Sequence, residues 1–266
     1  MNKLYIENDK IKNQQVDTTV QITLDEKNKL FSVNSIKIHV IKNTELWIDY
    51  HADEEIKLDV FIKIEPHVHL SLYEVRTGKR IKIQYKYYLE EYANVDVHKF
   101  YCTDKVREVD IIHLNGIESK INFLLKTIAV NNEKYDMMVY HNAKKTESNI
   151  VNHGVTVKDG SIIFNITSSV PNGKKECIVK EQNRIITTNN EKCKISPNLL
   201  IDEFDVEASH SALIGKFQDE ELFYLQSRGI NKDDAIYLLT KGFLCSYITN
   251  EDMLHKIGDG INRYWR

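Results

Sequence analysis

The sequence contains little cysteine, proline and glycine, with 4, 3 and 10 residues respectively among 266. The four cysteines form no CxxC pair and no zinc-finger spacing, which argues against a disulfide scaffold and predicts reduced thiols. The scarcity of proline and glycine excludes collagen-like and Pro/Gly-rich disordered architectures. Neither sign of charge predominates, since there are 36 basic and 39 acidic side chains. The chain as a whole therefore has no electrostatic attraction for nucleic acid or an anionic membrane.

Long apolar segments and common catalytic motifs are also absent from the sequence. No apolar run approaches the ~18 residues that a membrane-spanning helix needs, and the first ten residues are polar, unlike a secretory signal. We therefore expect a cytoplasmic protein. There is no glycine-rich phosphate loop, no GxSxG elbow and no HExxH pair, so the enzyme classes that depend on them are not supported.

Isoleucine is abundant and alanine is rare, with 32 Ile against 7 Ala. Alanine is the strongest helix former, whereas isoleucine favours strands, so this balance indicates a mainly β protein. Apolar and polar residues alternate in many short segments between about residues 18 and 216, as around Ile36, Leu58 and Ile81. Segments such as 158–160 and 171–173 are typical of turns between the strands. Periodicity alone leaves a sandwich, a barrel and a β-solenoid open.

The pattern changes to helix after residue 217. Acidic residues begin a segment at Asp219 that ends before Gly229, and Asn231 and Thr249 precede two further helical segments. We therefore predict a β domain over residues 1–216 and a small helical domain over residues 217–266.

Three local patterns suggest sites but are better explained as solvated strand faces. His67 and His69 would lie on one face of a strand, but no further zinc ligand is near them in sequence. The segment 79–88 mixes basic and aromatic residues, as single-strand nucleic-acid sites do, yet two glutamates follow it at once. The acidic stretch 202–207 has the composition of a glycosidase acid pair without a fixed separation.

The C-terminal part of the sequence resembles the SufB/SufD family of the SUF iron–sulfur cluster assembly machinery. The resemblance covers about residues 141–245 and is most specific in the phased FYL, SRGI and GF segments near its end. It is carried by Pro197, Asn198, Leu199, Ile201, Asp205, Val206, Ala208, Ser209, His210, Ile214, Gly215, Leu222, Phe223, Tyr224, Leu225, Ser227, Arg228, Gly229, Ile230, Ala235, Gly242 and Phe243. A less strict pattern of the same family fits His141, Thr146, Ser148, Asn152, Gly154, Val155, Asp159, Ser161, Phe164 and Gln182.

The resemblance implies a right-handed parallel β-helix with a small C-terminal α-helical domain. In the family this helical domain binds an ABC-type ATPase, SufC. The residues that would build or present the docking surface here are Leu222, Phe223, Tyr224, Arg228, Gly229, Ala235 and Phe243. Because Phe223 and Tyr224 are adjacent, we expect one to pack inward and the other to face the partner. Arg228 is equally suited to satisfying carbonyls at the helix end.

The resemblance also implies an interface between two β-helices, at which clusters form. His210 matches the SufD-type histidine and is a candidate cluster ligand, since a neutral imidazole ligates iron. The SufB-type cysteine would fall at Glu191, and Cys193, two positions away, is a weaker candidate. Ser211 stands where SufB-type chains carry glutamate. The chain therefore resembles SufD more than SufB.

The leading interpretation is a non-catalytic scaffold subunit that binds a SufC-type ATPase and either a SufB-like chain or a second copy of itself. A transient iron–sulfur cluster is expected at the subunit interface, with no stable cofactor in the isolated chain and no nucleic-acid or membrane partner. One alternative is a β-solenoid enzyme acting on polysaccharides through the acidic residues at 202–207. The other is a structural adaptor in which His210 is not a cluster ligand.

Overall fold

A computed structural model describes residues 1–8, 10–25, 34–187 and 192–265. Within these residues the chain forms 17 strands, divided between a nine-stranded and an eight-stranded sheet, followed by three helices. The strands are β1 (Asn2–Glu7), β2 (Lys10–Gln15), β3 (Val20–Asp25), β4 (Asn34–Val40), β5 (Thr44–Ala52), β6 (Ile56–Ile64), β7 (His69–Gly78), β8 (Ile81–Leu89), β9 (Asn94–Thr103), β10 (Val106–Leu114), β11 (Lys120–Ala129), β12 (Asn132–His141), β13 (Glu147–Thr156), β14 (Ser161–Val170), β15 (Cys177–Ile186), β16 (Lys194–Ile201) and β17 (Val206–Gly215).

Successive strands alternate between the two sheets and form a parallel β-solenoid of about seven turns. From β5 onwards, the odd-numbered strands pair in parallel with one another, as do the even-numbered strands from β4 onwards. Each coil therefore contributes one strand to each sheet. The predicted mainly β fold is confirmed, and the solenoid is the correct choice among the three β architectures.

Alternate side chains of each strand fill the space between the sheets. In β8, for example, Ile81, Ile83, Tyr85 and Tyr87 are buried, whereas the residues between them are partly or fully exposed. Parallel pairing places like positions of successive coils above one another, so that branched and aromatic side chains stack in rows. Two of the three tyrosines of the segment 79–88, Tyr85 and Tyr87, therefore point into the core and are unavailable for stacking on nucleic-acid bases.

One corner of the solenoid repeats a left-handed backbone conformation in successive coils. The five non-glycine residues that adopt it, with φ between 56° and 60°, are His67, Tyr92, Glu118, Lys145 and Glu176. The amide of each donates a hydrogen bond to a carbonyl in the corresponding turn of the next coil, as in Tyr92 N to Ile117 O at 2.9 Å. His67 thus lies in this turn, before β7 begins, and stacks on the Tyr92 ring at 4.7 Å. The prediction that His67 and His69 share a strand face is wrong.

The two ends of the solenoid differ. At the N-terminal end, β2 and β3 pair antiparallel with β1 and β4, and Ile11, Ile22 and Leu24 pack against the core. At the C-terminal end, β16 and β17 are the last strands of their sheets in the described part of the chain. Antiparallel strands therefore close one end, whereas the other ends on two parallel edge strands.

The helices follow the strands as predicted. They are α1 (Asp219–Ser227), α2 (Lys232–Cys245) and α3 (Glu251–Trp265). Asn231 caps α2 by accepting a hydrogen bond from the Asp234 amide, and Gly229 follows α1 with a φ of 85°. None of the described helices is long and apolar enough to span a membrane.

Helices α2 and α3 pack flat against the outer face of the nine-stranded sheet. Phe243 and Ile257 from the helices join an apolar cluster with Trp47, Phe100 and Val155 from the sheet. This contact covers the outer face of the sheet, so that both faces of β7, β9, β11 and β13 contain buried residues. The predicted division into two domains at residues 216 and 217 stays a prediction.

Candidate functional site

The C-terminal end of the solenoid exposes several large apolar side chains. Leu200, Phe204, Leu213 and Ile214 are exposed here, and Phe204 is completely so. A turn at 202–205 separates β16 from β17. The two edge strands retain unsatisfied backbone groups along their free sides, which makes this end suited to pairing with another chain.

His210 lies in the middle of β17 and pairs in register with Glu181 of β15. Glu181 points into the core and accepts a hydrogen bond from Ser168 Oγ at 2.6 Å, so His210 lies on the interior side of the last coil. There is no further coil beyond it among the described residues, and its side chain is exposed. Burial raises the pKa of Glu181, although the nearby His210 opposes this effect. An imidazole placed in this way is open to a ligand or to a second chain.

Cys193 faces the same interior but lies away from His210. It is half-buried against the core, just before the start of β16. The register of β14 with β16 and the Ser168–Glu181 hydrogen bond place Leu199, rather than Cys193, level with His210. Six residues of extended strand separate Cys193 from Leu199, which is roughly 20 Å. The structure therefore does not bring the two candidate ligands together within one chain, and Glu191 lies outside the described residues.

The acidic residues at 202–207 stabilise a turn. Glu203 accepts hydrogen bonds from the amides of Gly173, Phe204 and Asp205. These bonds, that from Asp205 first, lower the pKa of the Glu203 carboxyl. The Glu203 carboxylate therefore has a structural role in this turn.

Helix α1 exposes its aromatic residues to solvent. Phe223 is 73% and Tyr224 58% exposed, so the prediction that one of them packs inward is wrong. The reason is that α1 contains no buried residue. Leu222 is half-buried, and the Arg228 guanidinium lies over the Tyr224 ring at 5.4 Å. Arg228 thus joins the exposed aromatic surface of α1.

Ala235 and Phe243, the other two predicted docking residues in α2, are buried. Phe243 stacks on His153 of β13 with ring centroids 4.4 Å apart. Gly229 is exposed, and a Cβ added to it would meet no atom within 4 Å. Of the seven docking candidates, those in and just after α1 are therefore exposed or half-buried. The two in α2 are buried, and Phe243 packs against the sheet.

Sequence analysis missed a charged cluster inside the solenoid. Lys99 donates to Glu108 at 2.7 Å and to Asp110 at 2.8 Å, and Arg76 donates to Glu108 at 2.9 Å and to Glu74. All five side chains are at most 3% exposed. Burial alone would raise the pKa of Glu108, but the charges of Lys99 and Arg76 outweigh it and hold this pKa at about 2. Burial and Glu108 raise the pKa of Asp110 well above its usual range.

His141, part of the family pattern, is buried in a hydrogen-bonded network. Its Nδ1 lies 2.8 Å from Thr146 Oγ1 and its Nε2 lies 3.0 Å from Ser148 Oγ. Thr146 also contacts Cys177 Sγ at 3.2 Å. Burial lowers the pKa of His141 to about 4. These residues of the family pattern therefore connect neighbouring coils and have a structural role.

Replacing His141 by glutamine should weaken the acid sensitivity of the fold. The unfolded chain binds a proton at His141 near pH 6.5, whereas the folded chain binds it only near pH 4. The free energy of unfolding should therefore fall by about 3 kcal/mol from this group as the pH falls from 6.5 to 4. In His141→Gln this contribution is absent, which denaturant titrations at pH 7, 5.5 and 4 would measure. His255→Gln, at an exposed position of α3, should keep the wild-type slope, and an equally steep fall in His141→Gln would contradict the assignment.

No group of three or more His, Cys, Asp or Glu side chains that could hold a metal ion is found in the part of the chain that the structure describes. An iron site at His210 would therefore need donors from elsewhere, and the C-terminal end of the solenoid is where a second chain could supply them.

Most of the chain matches a known protein family. The family model described as "SUF system FeS cluster assembly, SufBD core domain" matches residues 58–243. The chain belongs to the SufBD core family. The match begins about 80 residues before residue 141, where the resemblance described in the sequence begins. It therefore includes the strands that carry the buried charged cluster as well as the C-terminal coils.

Individual members of the family support a SufD-like assignment. The iron–sulfur cluster assembly protein SufD of Bacillus subtilis is 35% identical over 118 residues, which is 44% of this chain and 27% of that protein. The SufD protein of Escherichia coli is 28% identical over 159 residues, covering 58% and 38% respectively. A SufBD family protein of Pyrococcus horikoshii is 53% identical over 45 residues, 17% and 10% of the two chains. The matched part of this chain thus spans well under half the length of each of these SufBD relatives.

Proposed function

We propose that this chain is a SufD-like, non-catalytic scaffold subunit of an iron–sulfur cluster assembly complex. The observation that carries the proposal is the match to the SufBD core domain over residues 58–243. Two unpartnered surfaces support it: the parallel edge strands β16 and β17 at one end of the solenoid and the exposed helix α1. Each surface is suited to a different protein partner.

The edge strands are the proposed contact with a second β-helix, a SufB-like chain. Long parallel edge strands expose a row of unpaired backbone groups and normally need to be covered. The exposed Leu200, Phe204 and Leu213 add apolar area to the same end. His210 would lie within this contact as one ligand of a transient cluster, which is the cargo of the complex. Donors from the partner would complete the site.

Helix α1 is the proposed contact with a SufC-type ATPase. Its aromatic pair and Arg228 belong to the residue types that most often dominate binding energy at protein interfaces. ATP would be hydrolysed by that partner, and α2 and α3 would transmit its movement to the solenoid through the apolar cluster they share with the nine-stranded sheet.

Anaerobic co-expression with a SufC-type ATPase and a SufB-like chain tests the proposal. The three proteins should co-purify, and the complex should contain iron with the visible absorption of an iron–sulfur cluster. In His210→Ala the complex should still assemble, but its iron content should fall roughly tenfold or more, because loss of one donor weakens metal binding by at least this factor. Absence of co-purification of the wild-type chain would contradict the scaffold function.

The matched control is His67→Ala. It removes an exposed histidine from a turn that is distant in sequence from the edge strands β16 and β17. Its complex should keep the wild-type iron content. If His210→Ala also keeps it, the ligand role of His210 is wrong, and the chain acts as an adaptor. If the chain assembles with itself rather than with the SufB-like protein, size measurement of the complex will show a homodimer.

A further inference from the structure

Three basic residues lie in one row on the outer face of the nine-stranded sheet. Lys126 of β11 pairs in register with His153 of β13, which pairs with Arg184 of β15. The row lies under α2, where Ser246 and Phe243 contact it. Lys126 and His153 are buried there, and burial lowers the pKa of His153 to about 3.

Within the described residues, no carboxylate compensates the positive charge of this row. Lys126 is completely buried, and its Nζ donates to His153 Nδ1 at 2.7 Å and to Ser246 Oγ at 3.1 Å. Lys99, the buried lysine inside the solenoid, instead has two carboxyl partners within 2.8 Å. Accordingly, burial lowers the pKa of Lys126 to about 7, whereas carboxyl groups outweigh burial and raise the pKa of Lys99.

Two buried donors of the row have no protein acceptor among the described residues. His153 Nδ1 lies 2.7 Å from Lys126 Nζ and 3.4 Å from Phe243 O. With Lys126 as an ammonium donor, Nδ1 is the acceptor and the ring proton lies on Nε2. This Nε2 group has no hydrogen-bond partner, and neither has the Nε group of Arg184. His153 is only 3% exposed. A buried N–H group without an acceptor is rare in folded proteins, and two in adjacent register positions indicate a site for an acceptor.

His153 and Arg184 both line a cavity of about 350 Å³ between the sheet and helices α1 and α2. Its wall includes the aromatic rings of Phe243 and Tyr247, the Gln182 amide and the Glu221 carboxylate. Glu221 is exposed, and its Oε2 accepts a hydrogen bond from the Gln218 amide at the start of α1. The Arg184 guanidinium lies 5.3 Å from the centre of the Phe243 ring, so its orientation is supported by an aromatic face.

We propose that this cavity binds a small phosphorylated molecule, with the phosphoryl group held by Arg184 and His153 next to the Lys126 ammonium. Guanidinium and ammonium groups are the preferred protein donors for phosphate oxygens. The volume exceeds that of a single anion and falls in the range of small-molecule sites, and the aromatic wall provides an apolar contact for the rest of the ligand. The inference rests on this cavity alone and does not depend on the proposed scaffold function.

Thermal unfolding in inorganic phosphate, with sodium chloride as the reference at equal ionic strength, tests the site on the full chain. Saturating phosphate should raise the unfolding midpoint by roughly 2–4 °C, because a ligand that binds only the folded state stabilises it. Arg184→Gln should lose this shift. The control Lys180→Gln removes a positive charge from the same strand, where Lys180 pairs with the exposed Glu207 at 3.2 Å, and should retain the shift.

A second titration, calorimetric and with phenyl phosphate, distinguishes a phosphorylated molecule from free phosphate. Phenyl phosphate should bind at least tenfold more tightly than inorganic phosphate, because its ring can contact the aromatic wall, and Arg184→Gln should weaken both. Arg184→Lys, which keeps the charge, should recover part of the affinity and excludes misfolding as the cause of the loss. The proposal is overturned if wild type shows no phosphate-specific shift or if Arg184→Gln shows the same shift. Equal affinity for the two probes overturns the assignment to a phosphorylated molecule.

Discussion

Lys99→Met should reduce the free energy of unfolding by about 3–5 kcal/mol, the usual effect of removing one partner of a buried ion pair. The ammonium is fully buried and lies between Glu108 and Asp110. Methionine has a similar volume, so the loss comes from charge rather than from a cavity. Without Lys99, Glu108 keeps only Arg76 as a cationic partner. Chemical denaturation at pH 7 would measure the difference.

Two further variants separate charge from packing. Lys82→Met, at an exposed position of β8, should change the free energy of unfolding by no more than about 0.5 kcal/mol. In Lys99→Met/Glu108→Gln the carboxylate that lost its lysine partner is also removed, and Arg76 and Glu74 still balance each other. The double variant should therefore be more stable than Lys99→Met alone by about 0.5–3 kcal/mol. If Lys99→Met is as stable as Lys82→Met, the charged interior has no structural importance.

This interior also shows where sequence reasoning fails. In β7 the buried residues include Leu70, Leu72, Glu74 and Arg76, all at alternate positions. An alternation rule places apolar Val75 inside and its charged neighbours outside, and an error of one residue reverses both faces of a strand. Val75 is instead buried from the other side, by the helices that cover this sheet. Only the three-dimensional packing of α3 explains why both faces of β7 are buried.

The coil repeat was unreadable for a related reason. The corner of each coil is defined by a left-handed backbone conformation, which sequence analysis normally detects through glycine. Here it is adopted by five residues of different chemistry, including Tyr92, Glu118 and Lys145. The conformational free energy of each, roughly 1 kcal/mol, is offset by amide hydrogen bonds to the next coil. The repeat is therefore one of backbone conformation rather than of residue type.

The helices were predictable because their signals are local. The acidic first turn of α1, the Asn231 cap and the glycine at position 229 act within four residues of the helix ends that they stabilise. Whether an amphipathic residue such as Phe223 then packs on the solenoid depends on where the chain places the helix. This is why the bounds of α1 were predicted correctly, whereas the burial of one of its two aromatic residues was not.

Phe223→Ala and Tyr224→Ala together should abolish co-purification with a SufC-type ATPase, if α1 is the docking surface. Large exposed aromatic residues at the centre of an interface each contribute 2 kcal/mol or more, so removal of both should weaken binding by roughly a thousandfold. Because α1 has no buried residue, the thermal stability of the isolated chain should be unchanged. A pull-down with tagged ATPase and calorimetric titration would measure the loss.

The matched control for this loss is Tyr92→Ala, which removes an aromatic residue of 43% exposure from a turn of the solenoid. It should bind the ATPase as the wild-type chain does, since Tyr92 lies in the corner turns and not in the helical region.

A second control, Phe243→Ala, should lower thermal stability, because Phe243 packs against His153 under α2. It should weaken ATPase binding only to the extent that the chain unfolds. Retention of full ATPase binding by the double α1 variant would show that the partner docks elsewhere, and the exposed aromatic residues of α1 would need another explanation.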